Sequence, residues 1–375
     1  MTSTFPRPEP RFDWFIPIDG DGEHIGTLRA ERPPTFTYLR EVVQTAEDCG
    51  FYSLLIPTRF GNGLFEEKAP LAETWTTATA LAAVTKRIRF LVAVRPGFIS
   101  PGLFAQMAAT LDQISGGRLD LNIVPGGIQN EFERFGEQSD HAFRYARAEE
   151  FIAACRKLWE KPEPVDFAGE YIKLNGAFCS PGPVGKGPVF YLGGASDRAL
   201  ALAGRQADVL LTWIEPQDQI AARLKQATQF FKAANRTSSF GLRTHLIVKS
   251  TEAEAWEAAN ELLSQAHSVV RQQRQVVFTN TPMVGQRAQA KEVEDYRLGP
   301  HLWNGISQVR VNCGTALVGT PDQVSEELLG YWRLGVDEFI LSGYPHVETC
   351  RETAAELLPL LRERIEREPV RVTAS

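Results

Sequence analysis

The chain has 375 residues and a formal net charge of −6, with 43% hydrophobic and 23% charged residues. That length suits one α/β barrel with an insertion, and the composition supports a buried core. A mildly acidic chain without long Lys/Arg runs excludes nucleic acid as the main partner, while a few focused arginines can still hold a small anion.

The chain opens with a Pro-rich, polar segment, Met1 to Arg11, which lacks the apolar core of a signal peptide. The first β-rich run follows at Phe12–Pro17, then a helical pattern at Phe36–Cys49, a run at Tyr52–Pro57 and a helix at Leu71–Thr85. Next come a run at Ile88–Val94, a helix at Phe104–Ser115, a run at Leu119–Val124 and a helix at Phe143–Trp159. The second half continues with Val189–Leu192, a helix at Asp197–Arg205, Val209–Thr212, a helix at Pro216–Ala234, Leu242–Val248 and finally Phe339–Ser342. Several runs are apolar without strict alternation, as parallel strands buried on both faces should be. Eight β-α repeats predict a (β/α)8 barrel in a single domain, with an open doubly wound sheet as the alternative. No apolar run reaches the roughly 18 residues of a membrane span.

Residues 250–318, between the seventh and eighth runs, break the rhythm. They begin as a helix at Glu252–His267 and become Gln/Arg-rich. An insertion there sits on the C-terminal face, where barrel active sites lie, and reads as a lid or as a peripheral, oligomerisation insertion. The five cysteines, Cys49, Cys155, Cys179, Cys313 and Cys350, are widely spaced without a CxxC, which predicts reduced thiols and a cytoplasmic location.

The strand ends gather the chemistry. Gly193-Gly194-Ala195-Ser196 before a helix is a phosphate cradle or a plain strand-to-helix turn. Arg243 and His245, two apart in one predicted strand, share a face. With Tyr344 and His346 they form a candidate site, against the reading of satisfied core groups. No acidic or cysteine ligand joins the two histidines at metal spacing, so no metal is expected. Arg144-Tyr145 opens a helix, as anion contact or solvated end. Trp75, Trp213 and Trp303 could stack on a flat ring or simply fill core.

These segments resemble the flavin-dependent alkanesulfonate monooxygenases of the bacterial luciferase-like superfamily over roughly Phe12 to Leu361. The most specific are Trp14-Phe15-Ile16-Pro17, Leu55-Ile56-Pro57-Thr58, Leu192-Gly193-Gly194-Ala195-Ser196-Asp197, Arg243-Thr244-His245 and Leu341-Ser342-Gly343-Tyr344-Pro345-His346. The resemblance implies reduced FMN (FMNH2) as diffusible co-substrate, a separate NAD(P)H-dependent flavin reductase, O2, and cleavage of an organosulfonate to an aldehyde and sulfite. It also implies a homodimer or homotetramer. Position by position, Arg243, His245, Tyr344 and His346 match the family's active-site set, Arg310 its lid arginine and Trp213 its pocket tryptophan. Asn122, Glu131, Arg144, Tyr145, Gly194 and Ser196 match flavin-contacting positions. His245 and His346 are expected to orient substrate or shuttle protons near neutral pH. The chain departs from the pattern at Asp19, over Arg59 to Trp75, where no cysteine occurs, and at Arg310-Val311-Asn312-Cys313-Gly314. With Asp19, Asn62 and Gln308 free to bind hydroxyls, a sugar sulfonate such as sulfoquinovose is a second expectation beside alkanesulfonates. Sulfones, aldehydes and pyrimidines are the substrates of rival luciferase-like oxygenases.

Overall fold

The computed structural model describes residues 9–237, 239–280 and 294–369. The chain runs β1 (Arg11–Phe15), α1 (Phe36–Asp48), β2 (Ser53–Ile56), α2 (Thr74–Ala82), β3 (Arg89–Val94), α3 (Pro101–Ser115), β4 (Leu119–Ile123), α4 (Gln129–Arg134) and α5 (His141–Glu160). It continues through a hairpin, β5 (Val165–Ala168) and β6 (Lys173–Ala177), then β7 (Phe190–Gly193), α6 (Asp197–Gln206), β8 (Val209–Trp213), α7 (Gln217–Ala233) and β9 (Ser239–Arg243). Beyond lie β10 (His245–Val248), α8 (Glu252–Leu262), α9 (Ser268–Asn280), β11 (Leu302–Trp303), β12 (Ala316–Gly319), α10 (Pro321–Leu334), β13 (Glu338–Leu341), α11 (His346–Glu352) and α12 (Leu358–Glu366).

Eight of these strands close a parallel barrel in the order β1-β13-β9-β8-β7-β4-β3-β2, so the barrel expectation holds and the open sheet does not. Helix starts follow ordinary capping chemistry. Ser100 accepts from the Leu103 N–H with Pro101 at the first helical position, and Thr320 and Gln323 form a reciprocal capping box ahead of Pro321. Alternation along the strands sorts side chains. Trp14, Leu54, Phe90 and Leu121 join the core under the helices, whereas Phe15, Leu55, Leu91, Tyr191, Leu211 and Ile340 form an apolar plug inside the barrel. The cavity described below opens above that plug.

Two expectations need correction. The run Leu242–Val248 is not one strand. β9 ends at Arg243 in the barrel, and β10 starts at His245 and pairs with β12, in a separate sheet ordered β10-β12-β11. The Thr244 N–H still donates to the Ile340 carbonyl, so the chain leaves the barrel at that residue. The described part of residues 250–318 also carries more regular structure than its composition suggested. The predicted helix Glu252–His267 stops at Leu262, and α9, β11 and β12 follow. Residues 281–293 of this span, and the tail from 370, lie outside the described residues. The hairpin β5–β6 was not foreseen, because its strands are mostly exposed and lack an apolar run. Among the described residues, no helix is long and apolar enough to cross a membrane.

Candidate active site

A cavity of about 180 Å³ opens at the C-terminal ends of the barrel strands. Phe15, Leu55, Leu211 and Ile340 form its floor, and Asn122, Trp213 and Arg243 rise from β4, β8 and β9. Arg310, Asn312 and Cys313 close over it from the loop before β12. Five arginines line it: Arg59, Arg95, Arg223, Arg243 and Arg310.

Three of these cations have acidic partners. Arg59 Nε lies 3.2 Å from Asp19, Arg95 3.0 Å from Glu131, and Arg223 2.6 Å from Glu215. Among the described residues, Arg243 and Arg310 have no carboxylate partner. Arg243 Nη2 donates to Ser342 Oγ at 2.8 Å, Nη1 donates to the Thr244 carbonyl, and Arg310 Nη1 donates to Tyr344 Oη at 2.8 Å. Both guanidinium groups lie against the Phe15 ring, 4.3 and 5.2 Å from its centroid. They are only 4% and 3% exposed, so two positive charges are held together in a nearly dry place. Burial pushes Arg243 down to about 10, and the neighbouring Arg310 adds to the effect.

A polar layer stands behind the arginines. His245 Nε2 is 3.1 Å from the Cys313 carbonyl and its Nδ1 is 2.8 Å from Ser342 Oγ. A carbonyl can only accept, so Nε2 carries the proton and Nδ1 accepts from the Ser342 hydroxyl. Burial drives the imidazole well below its usual pKa, and Arg243 and Arg310 push the same way, so His245 is neutral. Tyr344 stacks on His245 with centroids 5.4 Å apart. Burial raises its phenol to about 12 against the pull of Arg310 and Arg243. His346 Nδ1 sits 3.2 Å from Asp21 Oδ1, and the His346 N–H donates to Asp21 Oδ2 at 2.6 Å. Burial works against the Asp21 charge, but His346 and Tyr38 hold its pKa below the ordinary value.

The start of α6, which follows β7, also borders the cavity. Ser196 Oγ caps its own helix at the Ala199 N–H, 3.3 Å away. Gly194 is required by packing, since a Cβ there would come within 2.4 Å of the Ala199 Cβ. Tyr145, Ser196 and His141 border the cavity beside this helix end. Asn122 Oδ1 is buried on the wall with no hydrogen-bond partner.

The chain matches the luciferase-like monooxygenase family over residues 11–338. This chain belongs to that family. Membership makes it an oxidoreductase. Among solved structures, the fold is shared with a riboflavin lyase, RcaE, solved with modified FMN and riboflavin (20% identity, TM-score 0.79, covering 95% of this chain and 92% of that one). It is shared too with the long-chain alkane monooxygenase LadA (20%, 0.76, 97% and 92%). DmoA from Hyphomicrobium sulfonivorans is a third such structure (21%, 0.76, 95% and 88%).

In this luciferase-like monooxygenase, Arg243, Arg310, Trp213, Asn122, Tyr145, Gly194 and Ser196 all reach the cavity wall. His245, Tyr344 and His346 do not line it and form the supporting layer instead. His245 faces the Cys313 carbonyl and Ser342 rather than the cavity, which gives it a bracing place behind Arg243. Glu131 and Arg144 lie off the wall. Glu131 accepts from the Phe60 N–H and from Arg95, while Arg144 donates to Gln129 and the Ser139 carbonyl beneath the β4 loop. Trp75 and Trp303 are packing groups: Trp75 packs against Phe104 and Trp303 is buried.

Asp19, Asn62 and Gln308 were expected to be free for hydroxyls, and none is. Asp19 accepts from the Gly63 N–H and pairs with Arg59. Asn62 bridges the Asp19 and Pro70 carbonyls, and Gln308 accepts from Arg271. The sequence reading missed Ser342 as the link between Arg243 and His245. It missed Arg59 and Arg274, whose only signals were a strand-end position and the spacing of Arg271 and Arg274. Arg274, on α9, donates to the carbonyls of Val309, Asn62 and Phe65. With Arg59 Nη2 on the Val311 carbonyl, it pins the segment that carries Arg310.

Proposed function

We propose that this protein is the oxygenase component of a two-component system. It takes FMNH2 from a separate NAD(P)H-dependent flavin reductase and uses O2 to cleave an organosulfonate to an aldehyde and sulfite. The observation that carries this reading is the Arg243–Arg310 pair, buried in the cavity without a carboxylate. Two unneutralised guanidinium groups recognise an anion with several oxygens, as a sulfonate presents. A sulfone, an aldehyde or a neutral pyrimidine would leave both charges uncompensated at high cost.

The wall suits FMN. Tyr145, Gly194, Ser196 and the N-terminus of α6 would hold its phosphate, and the unpartnered Asn122 oxygen offers an acceptor to a ring N–H. Reduced FMN, when bound, supplies the electrons that activate O2. The protein's share is positional. Arg243 and Arg310 orient the sulfonate, Ser342 and Tyr344 fix the two forks, and Phe15, Leu55 and Ile340 keep water from the reacting carbon. Among the described residues, the one carboxylate lining the cavity is Glu215, already held by Arg223. With Asp19, Asn62 and Gln308 committed as well, this favours an apolar carbon skeleton over a sugar.

The test combines purified protein, a generic flavin reductase, NADH and a panel of alkyl, aryl and sugar sulfonates, with sulfite as readout. Sulfite is expected with alkyl or aryl members. Oxygen uptake that converts a neutral sulfone or aldehyde and releases no sulfite would overturn the sulfonate assignment.

A further inference from the structure

The loop between β1 and α1 is tied at its base, where the Asp21 N–H donates to the Arg32 carbonyl and the Arg32 N–H to the Asp21 carbonyl. Between these residues it reaches the insertion. The Ile25 N–H donates to the Leu262 carbonyl at the end of α8, and the His267 N–H donates to the Gly26 carbonyl. Gly26 has φ +77°, and a Cβ there would come within 2.4 Å of Val309. The loop therefore lies directly against the residue before Arg310, and Ile25, Leu262 and Val309 share one buried cluster. Beside this contact, His24 has a carboxylate on each ring nitrogen. Its Nδ1 is 3.1 Å from Glu31 Oε1 on its own loop, and its Nε2 is 2.9 Å from Glu261 Oε1 on α8. Glu31 is itself fixed, since it accepts from the Glu23 and His24 N–H groups.

We propose that His24 is a positioning residue: held as an imidazolium between Glu31 and Glu261, it fastens the β1–α1 loop to α8 and so seats the segment that carries Arg310 over the cavity. A neutral imidazole has one N–H and one lone pair, so it can satisfy only one of two flanking carboxylates and turns its lone pair on the other. Two protons satisfy both. Among the described residues, the charged groups that face the ring are Glu31 and Glu261, and the Gln265 side-chain amide, 3.3 Å from Nε2, can turn its oxygen toward a proton there. The Glu261 hydrogen bond raises His24 above its ordinary 6.5, partial burial opposes the rise, and Glu31 adds to it. With a raised folded value, the fastening is complete below the unfolded 6.5 and is lost as pH rises through the folded value. The cover then loosens on the alkaline side. Both carboxylates are exposed, so salt weakens the clasp as well. The proposal rests on the cavity being the active site that Arg310 closes, and not on which anion the arginines hold.

The test follows amide exchange in residues 302–313 of the full-length protein without substrate, corrected for its intrinsic pH dependence, from about pH 6 to about pH 9. Proton NMR titration of the histidine rings runs beside it. Wild type is expected to lose protection in that segment several-fold, with a midpoint above 6.5 that matches the titration of the ring signal missing from His24→Gln. His24→Gln, neutral throughout, should show the alkaline level of exchange at every pH. Glu261→Gln removes one carboxylate and should move the midpoint down toward 6.5, as should high salt. With flavin reductase and substrate present, product formed per flavin oxidised should fall along the same profile. Exchange that stays flat with pH, a His24 ring that titrates at or below 6.5, or a His24→Gln profile that matches wild type would each overturn the proposal. A protein that releases no sulfite and keeps the exchange profile would refute the sulfonate reading alone.

Discussion

Ser342 Oγ takes a hydrogen bond from Arg243 and gives one to His245, each at 2.8 Å. Ser342→Ala removes one oxygen and strands two buried groups, at a cost of about 1–3 kcal/mol for each. A lower denaturation midpoint is expected, together with weaker turnover because the Arg243 fork loses its brace; unchanged stability would show that the link is not needed. His245 gives a pH signature. Its folded pKa lies well below the unfolded value of 6.5, so the folded state resists a proton that the unfolded chain accepts. Stability is then present above about 6.5 and is lost as pH falls below it, by up to about 1.4 kcal/mol per unit for one group. His245→Asn, which stays neutral, should flatten the unfolding free energy between pH 6.5 and 5 relative to wild type. Arg243, Arg310 and Trp213 were legible in the sequence because the strand-end rule and the family resemblance point at single positions. The neutral tautomer of His245 was not, because it depends on a carbonyl at Cys313, 68 residues away.

At the scale of elements, the segment that carries Arg310 is held from two sides. The Val311 N–H donates to the Gly63 carbonyl, and Arg274 on α9 closes the other side with its three carbonyl bonds. Arg274→Met keeps the length of the side chain and removes every donor. It should raise hydrogen exchange in residues 302–313 and lower the product formed per flavin oxidised, because a loosened cover admits water. Full coupling in that variant would separate α9 from the site. Seven of the barrel strands were visible as apolar runs, since each is buried on both faces and bounded by turns or helices, whereas β9 overlaps the predicted run Leu242–Val248 only at Leu242 and Arg243. The break at Thr244 was hidden, because β9 and β10 are separated by that one residue and only pairing with β12 divides them. The three-stranded sheet escaped for a similar reason: β11 has two residues and gains its order from contacts distant in sequence.

For the molecule as a whole, the barrel buries carboxyl groups at its base as well as cations at its mouth. Asp13 and Glu338 are fully buried on the neighbouring strands β1 and β13, with Tyr191 Oη donating to Glu338 at 3.1 Å. Burial and the Glu338 charge raise Asp13 well above its ordinary pKa. For a carboxyl with a raised folded value, stability is full below the unfolded pKa and declines as pH rises through the folded one. Asp13→Asn should therefore gain stability over wild type as pH rises, in melting curves taken from pH 5 to pH 9; a constant difference would place the effect in packing alone. The cationic mouth has a consequence for anyone handling the protein. Arg243 and Arg310 are two buried cations without a carboxylate among the described residues, so the oxyanions of a laboratory buffer are expected to bind there. Sulfate and phosphate should raise the melting temperature with concentration, as any native-state ligand does, and should act as competitive inhibitors where chloride acts weakly. Substrate affinities measured in phosphate would then describe displacement of one anion by another.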